Sequence, residues 1–323
     1  MGSSNACELT MRSTSDPTVT VVIATYNRAH LIGGATRSVL HQSYQDFELI
    51  VVDDASTDDT EEVVARFNDK RIRYLRHEQN KGVAAARNSG IEIARGKYIA
   101  FLDSDCEWLP QKLQRQMEVF GELSTHVGVV YTDLFTVSES GTKRHWHSPR
   151  IMPEDGTVYE DMLANRLVGI SMPSVVTRRE CLAKVGLFDP QFRRLEDGDL
   201  YIRLSKLYLF YHIGEPLLIH YGIGKGLSSD DSLLIEAEHR ILEKHYTDIA
   251  KTTKSLATHK YLIGHLLSHN GKVDQGRRHL IEALRLHPLN IKYLVAVLLS
   301  LVGESAYKRA VKLKRMILPL REF

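Results

Sequence analysis

Asp103 and Asp105 stand one residue apart in Phe101-Leu-Asp-Ser-Asp105, at the end of an apolar run. Two carboxylates at that spacing offer oxygen ligands to one divalent cation and an acceptor to a ribose hydroxyl. Mg²⁺ and Mn²⁺ favour such ligands and are typically held by one or two carboxylates together with substrate phosphates. On its own the pair is equally compatible with a solvated strand end. Its company is what matters: Thr25-Tyr26-Asn27 and Asp53-Asp54 likewise put polar groups at the ends of apolar runs.

The elements that must position these groups are legible in the first third of the chain. Short β-branched runs alternate with longer amphipathic stretches, the pattern of βαβ units in a mainly parallel sheet flanked by helices. Strands are expected at Val19 to Thr25, Phe47 to Asp53, Ile72 to His77 and Tyr98 to Asp103. Helices are expected from Ala29 to Gln42, Asp58 to Phe67 and Val83 to Ala94, with Leu31, Ala35, Val39 and Leu40 as the apolar stripe of the first. Ligands of open α/β sheets bind at the carboxyl ends of the strands. The polar groups ending three of these four strands should therefore share one cleft. Pro110 suits the first turn of a further helix through about Leu123, and Val127 to Asp133 reads as another strand.

Residues 134 to 175 have no clear period and include His145-Trp146-His147, so loops and short strands over the same sheet edge are expected, a natural acceptor surface. Beyond residue 229 the pattern turns helical. Leu262, Leu266 and Leu267, then Gly271, then Leu280, Ala283 and Leu284 resemble one tetratricopeptide-like hairpin, which must pack on neighbouring helices because one repeat cannot bury both faces. The expected organisation is a disordered lead-in over 1–17, a catalytic domain over 18–228 and an all-helical extension over 229–323.

Net charge is +2, which argues against a nucleic-acid partner. The distribution is uneven: Lys251 to Phe323 carry fourteen basic and four acidic residues, a net of +10, and the remaining 28 basic and 36 acidic residues leave −8. In the basic tail Ala306, Ala310, Leu313 and Ile317 share a helical face ringed by Lys308, Arg309, Lys312, Lys314 and Arg315, a pattern suited to an anionic membrane surface or to packing on the body. The longest apolar run, Tyr293 to Val302, is half the roughly 20 residues that span a bilayer. Three widely spaced cysteines suggest neither a disulfide framework nor a zinc site, so a cytoplasmic location, with possible peripheral contact to the membrane, is expected. Cys106 beside Asp105 reads as a bystander, because nearby carboxylates disfavour a thiolate.

Four ordered blocks now support a resemblance: Val19-Thr-Val-Val-Ile-Ala-Thr-Tyr-Asn-Arg28, Phe47-Glu-Leu-Ile-Val-Val-Asp-Asp-Ala-Ser56, Gly82-Val-Ala-Ala-Ala-Arg-Asn-Ser-Gly90 and Phe101-Leu-Asp-Ser-Asp105. Together they resemble family 2 glycosyltransferases with the Rossmann-like GT-A fold. The likeness is close over about residues 18 to 123. It resumes more loosely at Gly186-Leu-Phe-Asp189 and at Leu195-Glu-Asp-Gly-Asp-Leu-Tyr-Ile-Arg-Leu204.

The resemblance implies a nucleotide-sugar donor, most readily a UDP-sugar, an inverting displacement, and Mn²⁺ or Mg²⁺ as cofactor. Thr25, Tyr26 and Asn27 would line the nucleotide pocket, where an aromatic ring packs on a flat base. Asp54 would accept a hydrogen bond from the base, with Asp53 sharing that contact or supporting the strand end. Lys81 and Arg87 would meet the phosphates, helped by the helix N-terminus near Gly82. Asp103 would contact ribose or metal and Asp105 the metal. Asp197 is the implied general base, with Glu196 meeting acceptor or sugar hydroxyls and Asp199 a first-turn helix acid. One departure touches the metal: the family's Tyr-x-x-His stretch here reads Tyr221-Gly-Ile-Gly224, leaving His220 as a substitute ligand and Gly222, Gly224, Lys225 and Gly226 as a candidate lid. The acceptor would be a glycan, a lipid-linked saccharide or a protein. A sugar-phosphate nucleotidyltransferase would want a glycine-rich loop after the first strand, and Thr25-Tyr-Asn-Arg-Ala-His30 has no glycine; a non-catalytic adaptor would have lost the carboxylates.

Overall fold

The computed structural model describes residues 16–138, 140–147, 158–164, 170–222 and 230–317, the side chains of 314–317 excepted. Most of the lead-in, much of the expected acceptor surface, the Gly224-Lys225-Gly226 lid and the side chains of Lys314, Arg315 and Ile317 lie outside the described residues.

The β-branched runs form strands where expected, the third one residue shorter: β1 (Val19–Thr25), β2 (Phe47–Asp53), β3 (Ile72–Arg76) and β4 (Tyr98–Asp103). Between them lie α1 (Ala29–Leu40), α2 (Thr60–Ala65) and α3 (Val83–Glu92). β2, β1 and β4 are almost wholly buried, because helices cover both faces, and β1 pairs in parallel with β2 and β4 while β3 pairs in parallel with β2.

The second half of the sheet is mixed. It contains β5 (Cys106–Trp108), α4 (Lys112–Glu122), β6 (Val127–Val137), β7 (Lys143–Trp146), α5 (Tyr159–Leu163), β8 (Val176–Arg178), α6 (Arg179–Val185), α7 (Glu196–Ser205) and β9 (Leu209–Tyr221). Among the described residues the strand order is β3-β2-β1-β4-β8-β6-β9-β5, with β7 on β6. β8 is antiparallel to β4 and β6, so the parallel pattern of the first four strands stops there. β6 runs four residues beyond the expected end at Asp133, because Leu134 to Val137 pair with β7.

The helical region comprises α8 (Asp231–Lys244), α9 (Tyr246–Ile249), α10 (Thr253–His269), α11 (Val273–Leu286), α12 (Ile291–Val302) and α13 (Glu304–Ile317). The expected hairpin is α10–α11. Its helices touch backbone to backbone: a Cβ on Gly276 would lie 2.6 Å from the Gly264 carbonyl oxygen, and one on Gly264 would lie 2.8 Å from that of Gly276. Only glycine permits that approach.

The helical region does not have a wholly separate core. Ile235, Ile241, Ile263 and Leu267 belong to the same buried cluster as Val22, Phe101 and Leu200 of the α/β body. Two small clusters add to it, one around Leu280 and Tyr307 and one that joins Ala257 of α10 to Ala283 and Tyr293. In α13 the inward face is Tyr307 with Ala306, Ala310 and Val311, and Leu313 points to solvent. The expected Ala306–Leu313 face is therefore rotated, because the large Tyr307 buries first. No helix among the described residues is long and apolar enough to cross a membrane.

Candidate active site

A cleft of about 930 Å³ opens at the carboxyl ends of β1, β2 and β4. Thr25, Tyr26, Asp54, Lys81, Arg87, Asp103, Asp105, Glu196, Asp197 and His220 line it, so groups 195 residues apart in sequence share one space. Asn27 and Asp53 are not among its walls. Arg28, Arg193 and Arg194, which sequence reasoning left unassigned, are. No periodic pattern marks them; only their nearness to Tyr26 and Glu196 in the chain hints at the cleft.

The two adjacent carboxylates at the end of β2, Asp53 its last residue and Asp54 the next, do different work. Strand alternation sends their side chains to opposite sides. Asp53 is fully buried and accepts hydrogen bonds from the Ser56 amide at 2.8 Å and the Tyr74 hydroxyl. It closes the strand-end turn. Asp54 accepts from the amides of Lys81 at 2.8 Å and Gly82 at 2.7 Å, and pairs with His77 at 2.7 Å. His77 reaches on to the Ser89 hydroxyl at 3.0 Å, so Asp54 shapes the start of α3. Gly82 has φ +89°, a left-handed conformation suited to glycine, which lets these two amides face one carboxylate.

Asn27 likewise joins loops. Its Oδ1 accepts from the Thr57 amide at 2.7 Å, and its own amide donates to the Ser56 hydroxyl at 2.9 Å. Asn27, Ala55 and Leu195 are the three non-glycine residues with positive φ among the described residues, at 51°, 67° and 60°. All three flank the cleft, where locally strained backbone is held by its surroundings. The Tyr26 ring is 45% exposed, an open platform, and the buried Thr25 hydroxyl beside it has no hydrogen-bond partner among the described residues.

Arg87 sits at the centre. It is buried on α3, donates to Asp103 at 2.8 Å and to Glu196 at 2.7 Å, and lies over the Phe188 ring. Burial would weaken its hold on the proton, but Asp103 and Glu196 outweigh that and push its pKa up. The guanidinium thus braces the β4 carboxylate against the acidic pair that begins α7.

Asp197 is half-buried, and burial together with the charge of Glu196 pushes its carboxyl up to about 7, against the opposing pull of Arg87. Asp199, two residues on, behaves oppositely. Burial alone would raise it, but hydrogen bonds from His245, Arg203 and Lys244 hold it at about 2. The contacts at 2.8 Å to His245 and 3.0 Å to Lys244 tie α7 to the end of α8, whereas Arg203 lies one turn on within α7 itself.

Asp105, Cys106 and His220 place ligand atoms within 4.8 Å of one another. The short β5, antiparallel to β9, pairs Cys106 with His220 and brings the imidazole to Asp105. Burial and Asp103 raise the Asp105 carboxyl, an excess of negative charge that a cation would relieve. Burial and the two aspartates also raise Cys106, so the thiol keeps its proton and is a poor ligand. The residues fit a divalent cation held by Asp105 and His220, with Asp103 beside them.

Known proteins resemble the chain in sequence and in fold. The family model described as Glycosyl transferase family 2 matches residues 20–186. The chain is 33% identical over 219 residues to the "Putative teichuronic acid biosynthesis glycosyltransferase TuaG" of Bacillus subtilis, covering 66% of this chain and 82% of that one. It is 33% identical over 191 residues to the Escherichia coli protein named "UDP-Glc:alpha-D-GlcNAc-diphosphoundecaprenol beta-1,3-glucosyltransferase WfgD", covering 59% and 71%. The fold resembles S. aureus TarS 1-349 in complex with UDP-GlcNAc, with TM-score 0.63 and 17% identity over 93% of this chain and 92% of that one. It also resembles the mannosyltransferase PcManGT from Pyrobaculum calidifontis, solved with GDP-Man and Mn²⁺, with TM-score 0.57 and 18% identity over 95% and 89%. The architecture is GT-A, and the chain belongs to glycosyl transferase family 2 and is a nucleotide-sugar glycosyltransferase.

Proposed function

We propose that the chain is a metal-dependent inverting glycosyltransferase that moves a sugar from a UDP donor to a hydroxyl of a lipid-linked or polysaccharide acceptor. The observation that carries this reading is Arg87, which bridges Asp103 on the donor side and Glu196 beside Asp197 on the base side. The uridine packs against the exposed Tyr26 ring at the wall of the cleft. The names of WfgD and of the TarS complex support UDP, and that of WfgD supports a lipid-linked acceptor.

Asp105, His220 and Asp103 would hold Mn²⁺ or Mg²⁺, which when bound offsets the negative charge developing on the leaving diphosphate. Asp197 removes the acceptor hydroxyl's proton, and a carboxyl with a pKa near 7 is matched to that task at neutral pH. Glu196, fixed by Arg87, positions sugar or acceptor hydroxyls beside it. One displacement with no covalent intermediate inverts the anomeric centre.

The test is thermal unfolding with UDP and Mn²⁺. Together at a hundredfold excess over Kd they should stabilise the fold by about 2.7 kcal/mol, and each alone by far less. A chain indifferent to both would not be a UDP enzyme of this kind.

An anionic membrane surface is the second partner we propose. α12 exposes Ile291, Leu294, Leu298 and Leu301 along one stripe, with Val295 and Val302 beside it. Lys292, Lys308, Arg309 and Lys312 supply positive charge on α12 and the adjoining α13. An exposed apolar stripe on a helical region rich in basic residues suits shallow insertion into anionic lipid. Co-sedimentation with phosphatidylglycerol vesicles should be strong for the full chain and lost for Leu298→Glu with Leu301→Glu. If the double variant pelleted as well as the parent, lipid would not be what covers this stripe.

A further inference from the structure

The His145-Trp146-His147 cluster stands apart from the donor cleft and plays no part in the reaction described above. β7 pairs antiparallel with β6 so that Phe135 faces His145 and Leu134 faces Trp146. One step further along that register His147 stands across from Asp133. Alternate strand residues share a face, so His145, His147 and Asp133 come together while Leu134 and Trp146 pack into the core on the other side.

The side chains converge as the register requires. Asp133 Oδ2 lies 3.0 Å from His145 Nε2 and 3.2 Å from His147 Nδ1, and Asp133 Oδ1 lies 2.7 Å from His212 Nε2 on the neighbouring β9. The ligand atoms of Asp133, His145 and His147 all fall within 4.8 Å of one another. With bonds of about 2.0–2.1 Å, the ligands of a tetrahedral zinc ion are about 3.3 Å apart. The two observed nitrogen–oxygen separations are close to the edges of such a tetrahedron, and only a small spreading would admit the ion.

The surroundings grade from buried to open. The Asp133 side chain is 2% exposed, that of His145 32% and that of His147 74%, so the carboxylate is fixed while the imidazole side faces solvent. His212 is buried, stacks on the Tyr131 ring at 4.9 Å and orients the carboxylate from behind. An outer partner that fixes a ligand's orientation is a recurrent part of metal sites. Two imidazoles and one carboxylate favour zinc-class ions over Mg²⁺, which prefers oxygen alone.

We propose that Asp133, His145 and His147 form a second metal site, for Zn²⁺ or a similar transition-metal dication, with a fourth position open to water. The site clips β7, whose partner in the sheet is β6, onto the body within the stretch expected to form the acceptor surface.

Chelator-treated, tag-free protein titrated with Co²⁺ tests this, read by the visible ligand-field bands of bound cobalt. The parent and Asp105→Asn should both bind one Co²⁺ in a tetrahedral-type environment, displaced by Zn²⁺ and not by Mg²⁺. His145→Gln with His147→Gln should weaken that binding by at least about 100-fold, and His212→Asn by about 10- to 100-fold. Unfolding curves of the apo variants serve as the control for folding. The proposal is overturned if no such bands develop in the parent, if the histidine pair is dispensable for them, or if Asp105→Asn abolishes them, which would assign the ion to the donor cleft.

Discussion

Asp197→Asn is expected to lower sugar transfer by about 10²- to 10⁴-fold while UDP affinity stays within a few-fold, because a positioned general base contributes that much. The carboxamide keeps the shape of the side chain but cannot take the acceptor proton. In the parent, transfer should rise with pH until about 7 and then level, since the base works only when ionised and its carboxyl titrates there. That limb should vanish in the variant. Stability moves the other way. A carboxyl whose folded pKa lies above its unfolded value binds its proton more tightly in the native state, so it costs stability as pH rises from about 4 through 7. Asp197→Asn removes this cost, and its melting temperature at pH 8 should equal or exceed that of the parent. Initial rates with calorimetric UDP binding decide the matter. Transfer retained within tenfold would move the base role to another residue.

Arg87→Met should do comparable damage by a different route. It strips the cation from a buried site and leaves Asp103, Glu196 and Asp197 facing one another. Removing one partner of a buried ion pair typically costs about 3–5 kcal/mol, and the lower figure is apt here because the Asp103 side chain is 38% exposed and partly hydrated. Arg87 also opposes the upward shift of Asp197. Its loss should therefore carry the base pKa above 7 and move the pH–rate limb to the alkaline side. At pH 7 a fall of about 100-fold is expected, as for a misplaced catalytic group, with partial recovery on raising the pH. Chemical denaturation and a pH series would check both halves. An unshifted limb would mean that the guanidinium does not control Asp197.

Much of this site could be read in the sequence because parallel strands are written locally. The β-branched runs of β1, β2 and β4 are continuous, and their last residues fall where a ligand must sit. Other parts were not local. Asp53 and Asp54 are adjacent and alike in type; alternation says that they diverge, but not which faces the cleft. Their partners, Tyr74, His77 and the Lys81 and Gly82 amides, come from 21 to 28 residues away. Arg87 reads as a phosphate ligand or a helix-surface residue until Asp103 and Glu196, 16 and 109 residues distant, close on it. β5 and β8 have three residues each, too few to carry a period, and with them the approach of His220 to Asp105 was hidden. The α10–α11 hairpin was plain from its leucine spacing. That α8 and α10 share the body's core was not, since an apolar stripe does not name what it packs against.

The carboxylate of Asp199 gives that shared core a meaning for turnover. It is fully buried two residues after the base on α7, and it is balanced by His245 and Lys244 at the far end of α8. Acid–base poise in the cleft and the placement of the helical region are therefore not independent variables. Any displacement of α8 also shifts the footing of α7, the helix that carries Asp197.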